Sequence, residues 1–153
     1  EGTRPLLVEV QALVDQSSLG NPRRLAVGMD PNRLAMLLAV LHRHGGVATH
    51  DQDVFINVVG GVRLAEPAAD LAVVLAVLTS LRNRSMSADT VVFGELGLSG
   101  EVRPVPNGEE RLREAAKHGF KRALAPKANI PKRGFDAMEV LPLATLEDAL
   151  EQI

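Results

Sequence analysis

The sequence has no cysteine, no tryptophan and no tyrosine. Without thiols there is no disulfide, no thiolate metal site and no cysteine nucleophile. Aromatic residues are confined to Phe55, Phe93, Phe120 and Phe135, so a core has to be assembled from Leu, Val, Ile and Ala. No apolar run reaches the roughly 18 residues needed to cross a membrane, and no membrane partner is expected. The start, Glu1-Gly-Thr-Arg-Pro5, carries neither the basic n-region nor the apolar h-region of a signal peptide. It also begins without Met, as a fragment of a longer protein or a processed chain would, and a cytoplasmic location is expected. No stretch matches the Walker A phosphate loop. Gly94-Glu-Leu-Gly-Leu-Ser-Gly100 is glycine-rich, but its spacing is not the dinucleotide fingerprint and it does not lead directly into a helix, so it reads as a turn.

What is present fits one domain, residues 1–153. Strand character lies at 6–14, 23–28, 54–59, 91–93, 123–125 and 139–141. Asp30-Pro31 is a helix start, because Asp caps free amides and Pro suits the first helical position. That helix should run to about His44 and stop at Gly45-Gly46. A second helix is expected from Pro67 to about Asn83, with Leu71, Val74, Leu75, Leu78 and Leu81 at helical spacing. Residues 94–105 read as a hairpin-like loop turning at Ser99-Gly100. A basic helix follows from about Gly108 to His118, closed by Gly119, and Thr145 caps a last helix. Strands interleaved with helices imply an α/β or α+β class with mixed sheets.

The formal net charge of −2 hides an uneven distribution. Between Arg111 and Arg133 stand eight bases (Arg111, Arg113, Lys117, Lys121, Arg122, Lys127, Lys132 and Arg133) and one acid, Glu114. Such a segment is either a solvated face or a surface for a polyanion. His42 and His44 stand near His50, Asp51 and Asp53, but two helical residues two apart point to different faces, and no metal site is expected. The serines at 17, 18, 80, 85, 87 and 99 do not include the start of the Pro67 helix, where helix amides could stabilise an oxyanion; Ala68 and Ala69 stand there instead.

Five segments in order carry a family resemblance: Glu1-Gly-Thr-Arg-Pro-Leu-Leu-Val-Glu-Val-Gln11, Asp30-Pro-Asn-Arg-Leu-Ala-Met-Leu-Leu-Ala-Val-Leu41, Asp53-Val-Phe-Ile-Asn-Val-Val-Gly-Gly61, Glu66-Pro-Ala-Ala-Asp-Leu-Ala72 and Gly94-Glu-Leu-Gly-Leu-Ser-Gly-Glu-Val-Arg103. Together they resemble the C-terminal domain of the bacterial RadA (Sms) recombination proteins. The resemblance implies a fold similar to the proteolytic domain of Lon, itself related to a ribosomal-protein domain. In Lon a serine follows Pro at a helix start, and a lysine follows a Val-x-Pro segment. Here Ala68 falls at the serine position, and Val102-Arg-Pro-Val105 places Glu109 at that of the lysine. Alanine cannot attack, and a carboxylate does not replace the missing nucleophile, so no catalytic residue is expected in this domain. The resemblance further implies a parent protein with a zinc finger and a RecA-like motor that uses ATP and Mg. It implies hexameric rings on DNA, branch migration, and work alongside the recombinase RecA. No cofactor is expected in the domain itself. DNA-contact candidates are Arg23, Arg24, Arg33, Arg111, Arg113, Lys117, Lys121, Arg122, Lys132 and Arg133. The alternatives are a purely structural oligomerisation collar, in which those bases pair with acids of a neighbouring subunit, and a serine peptidase.

Overall fold

In the computed structural model, which describes residues 7–18, 20–59 and 67–153, each local signal above can be placed. The starting portion of the first resembling segment (1–6), Gly60-Gly61 and Glu66 lie outside the described residues. Strand β1 (Glu9–Gln16) begins and ends later than the apolar alternation suggests. Its register continues into the Ser17 amide, which donates to Asp51 O at 2.9 Å. Strand β2 (Arg24–Val27) leads to helix α1 (Pro31–Gly45). The ends of α1 follow from their chemistry. Asp30 accepts the Asn32 amide at 2.9 Å, Pro31 sits in the first turn, and Gly46 closes the helix at φ 68°.

Strand β3 (Gln52–Val59) lies between the other two, giving the order β1-β3-β2. β1 runs antiparallel to β3 and β2 parallel to it. The parallel neighbours are joined by α1, the crossover such a pair requires. One face of this sheet buries Val14, Val54, Ile56 and Val58 together with Leu34, Leu37 and Leu41 of α1.

The second helix departs from expectation at its start. Pro67–Ala69 is a single 3-10 turn, and α2 covers Asp70–Leu81. The cause is Gly94. Its amide takes Ala68 O at 2.8 Å, and its carbonyl receives the Leu71 amide at 3.2 Å, so these groups are withdrawn from the α-helical ladder. Gly94 has φ 147°, and a Cβ there would lie 2.7 Å from Leu71 Cδ1; only glycine fits. α2 then runs against β1 and ends two residues before the expected Asn83, which takes a left-handed φ of 56°.

The rest of the chain forms the strand β4 (Thr90–Val92), a hairpin of β5 (Glu95–Leu96) and β6 (Val102–Arg103), and the basic helix α3 (Gly108–Lys117). Strand β7 (Arg122–Pro126), a 3-10 turn (Lys127–Asn129), β8 (Glu139–Leu143) and α4 (Leu146–Leu150) follow. β4, β7 and β8 make a parallel sheet in the order β4-β7-β8. Thr145 and Asp148 cap α4 reciprocally, as the sequence suggests. The class is mixed α/β: two three-stranded sheets, one hairpin and four helices. A large Leu- and Val-rich core joins the first sheet to α1 and α2. A smaller one, with Phe93, Leu112, Ala115, Ala123 and Ala125, lies under α3.

Candidate nucleic-acid interface

The amphipathic α3 buries Leu112 and Ala115 and turns its charges outward. Arg113 donates to Glu109 at 2.7 Å, one turn back. Arg133, from the loop before β8, reaches the same carboxylate. Glu109 therefore ties that loop to the helix and gathers the basic groups on both. Arg111 donates to Pro106 O at 2.9 Å and lies over the Phe93 ring, 6.0 Å from its centre. Arg122 is half-buried and donates to Gln152 Oε1 at 2.9 Å. Lys117, Lys121 and Lys132 are exposed, and among the described residues their side chains make no hydrogen bond or ion pair. A lysine held only by its stem is a mobile cation free to meet a phosphate.

The remaining candidates stand elsewhere and are engaged. Arg23 packs over Phe55, 5.4 Å from the ring centre, and pairs with Asp53 at 3.3 Å. The Arg23 amide donates to the same carboxyl at 2.8 Å. That backbone bond, seconded by the guanidinium, holds Asp53 below the ordinary aspartate range despite the opposing effect of burial. Arg24 turns back on the chain and donates to Thr49 O at 2.8 Å and to Gln52 O. Arg33 forms a two-pronged pair with Asp70, at 2.8 and 2.5 Å. This bonding raises the guanidinium above its ordinary value. Asp70 is 3% exposed and also accepts the Leu96 amide at 3.0 Å. One carboxylate thus joins α1, α2 and the β5–β6 hairpin. Sequence alone left Arg33 open to pairing with an acid; the acid, 37 residues away, has no local signal.

Ala68 is buried at the entry to α2, and Glu109 is occupied by two arginines. Beside Ala68 opens a cleft of about 590 Å³, lined by Val8 and Val10 of β1, Ala72, Phe93, Arg111 and Glu114 among others. Its lining is largely aliphatic. Ser87, also on its wall, is engaged with Asp89. Among the described residues no three His, Asp or Glu side chains are grouped to hold a metal ion. His44 bonds Leu98 O at 2.9 Å instead. No helix among the described residues is long and apolar enough to cross a membrane.

A family model described as subunit ChlI of Mg-chelatase matches residues 32–129, from the first turn of α1 to the 3-10 turn after β7. The chain belongs to the ChlI family. The ChlI match takes in α2, α3 and most of the basic segment. The resemblance to the RadA proteins holds across the chain as well. It is 63% identical over 153 residues to DNA repair protein RadA of Pseudomonas aeruginosa, covering 100% of this chain and 34% of that protein. With DNA repair protein RadA of Escherichia coli it shares 63% over 150 residues, 98% of this chain and 33% of the relative. With that of Aquifex aeolicus it shares 49% over 151 residues, 99% and 34% respectively. The chain spans about a third of the length of the curated relatives it matches.

Proposed function

We propose that this chain is the C-terminal domain of a RadA-type DNA repair and recombination protein, and that it contributes DNA contact and ring assembly without peptidase activity. The observation that carries the repair assignment is the 63% identity to DNA repair protein RadA over the full length of the chain. In this reading the fold is similar to the proteolytic domain of Lon. The ATP-, Mg- and Zn-dependent parts, the RecA partnership and branch migration belong to the longer protein. Ala68 at the entry to α2 supplies no hydroxyl, and Glu109 is committed to Arg113 and Arg133, so the chain cannot run a serine–lysine reaction there.

DNA lies against the α3 face. Lys117, Lys121 and Lys132 make the phosphate contacts, and Arg113 and Arg133 frame them. Arg23, Arg24 and Arg33 hold the fold in this reading. Contacts of this kind tolerate any sequence, and repetition around a hexameric ring multiplies them. The test is DNA binding by the chain at about 50 and 200 mM salt, with K117E, K121E and K132E combined. Expected is weaker binding and a salt slope shallower by about 0.9 per lost contact. Unchanged binding overturns the DNA face. In the collar alternative, the bases of α3 pair with acids of a neighbouring subunit; Asp148, one candidate acid, is already spent on the Ala144 and Thr145 amides.

A further inference from the structure

The outer face of the β1-β3-β2 sheet is apolar at its centre. Leu13, Phe55 and Leu25 stand in one cross-strand row. Leu13 is 59%, Leu25 56% and neighbouring Val27 55% exposed. An antiparallel or mixed sheet normally gives its solvent face to polar residues, and contiguous exposed apolar groups mark a contact surface. The charges at the border of this face are unevenly placed. Asp15 and Glu9 sit on β1, and Arg23 enters β2 on the other side, next to Asp53, the cross-strand partner of Asp15.

We propose that this face pairs with the same face of a second copy of the chain about a two-fold axis parallel to β3. The charge pattern selects that axis. Rotation about a line along the strands lays β1 over the second copy's β2. Leu13 then meets the partner's Leu25, and Asp15 meets the partner's Arg23, each contact made twice. An axis across the strands would lay β1 over β1 and bring Asp15 onto the partner's Glu9, acid on acid. Face-to-face sheets with nearly aligned strands are a common packing.

The size of the face sets the strength. Three strands about 4.8 Å apart and about 25 Å long offer roughly 400 Å² per partner, about half of what a stable complex uses. The pairing is therefore weak and concentration-dependent. It is separate from head-to-tail ring closure, which joins two different surfaces and yields assemblies of more than two copies, and it does not depend on the DNA reading.

Sedimentation equilibrium of the chain from about 10 μM to about 1 mM, the weak end of specific association, tests it. Expected is a mass that climbs toward two chains and stops there. L13E or L25K alone holds the chain at one copy. L13E and L25K together restore pairing at low salt and lose it at high salt, because the new charges meet across the axis. V27K, on the other edge strand, gives the same loss should a charge at Leu13 loosen β1. M36K, on exposed Met36 of α1, leaves the mass unchanged. A single-chain mass throughout, association indifferent to L13E and L25K, no recovery in the combined variant, or a mass that climbs beyond two chains each overturns the proposal.

Discussion

Helices α2 and α3 are close in length and opposite in use. α2 has one charged residue, Asp70, and buries seven of its twelve positions: Asp70, Leu71, Val73, Val74, Leu75, Val77 and Leu78. α3 has six charged residues among ten and keeps only a narrow stripe of Gly108, Leu112, Glu114 and Ala115 inside. The first is held on all sides and sets the positions of its neighbours. The second rests on one side against a small, alanine-rich core and leaves the other side available to solvent or to a charged ligand. A helix apolar on every side cannot be redesigned cheaply, whereas an amphipathic one can carry function on residues that contribute little to stability.

Substitutions should make that contrast measurable. The largest loss is expected for Leu78→Ala in α2, about 3–4 kcal/mol in denaturant unfolding, since Leu78 is fully buried and leaves a cavity. Asp70→Ala should cost about 3 kcal/mol, because it strands the partly buried Arg33 guanidinium and the Leu96 amide together. Gly94→Ala should cost about 2 kcal/mol through backbone strain and the collision with Leu71. By contrast, Lys117→Glu or Lys121→Glu in and after α3 should leave stability within about 0.5 kcal/mol. A loss of several kcal/mol from either would show that α3 is a structural helix like α2, and would break the contrast.

The smallest expected effect is one of pH. The Asp53 carboxyl titrates below its unfolded value of about 3.9 because the Arg23 amide and guanidinium favour its charged form. A depressed acid stabilises the fold above its unfolded pKa, and that contribution fades as pH falls through the folded one. Unfolding curves between pH 6 and 3 should therefore lose stability on the acid side. Asp53→Asn should flatten that part of the dependence; an unchanged acid limb would place it on other carboxylates.

The parts of this structure legible in the sequence are those decided within a few residues. Asp30-Pro31, Gly46 and Thr145 announce their helix ends because capping is a local hydrogen bond. The glycines at 94, 97 and 100 announce a turn because few residues tolerate one. The basic segment was visible by counting, and α3 could be drawn from its spacing. The order β1-β3-β2 was not visible, because it depends on which strands meet after the chain has travelled around α1. Nor was the 3-10 start of α2, which is imposed by Gly94 from beyond the far end of that helix. Among the candidate bases, spacing could not separate Lys117 and Lys121 from Arg24 and Arg33. The difference lies in partners dozens of residues away, in Thr49, Gln52 and Asp70. The second acid on Arg33's route, Glu95, lies farther still along the chain and adds to the same attraction.

The carboxylate of Asp70 has a consequence for how the molecule breathes. Because it holds Arg33 of α1 and the Leu96 amide of the hairpin at once, none of the three elements can swing away without exposing a charge the others have helped to bury. Small excursions that open one helix alone are suppressed, and the region behaves as a single cooperative block. The Leu96 proton, sitting at that junction, should exchange with solvent only when the whole block opens, and its protection reads out the integrity of half the domain from one atom.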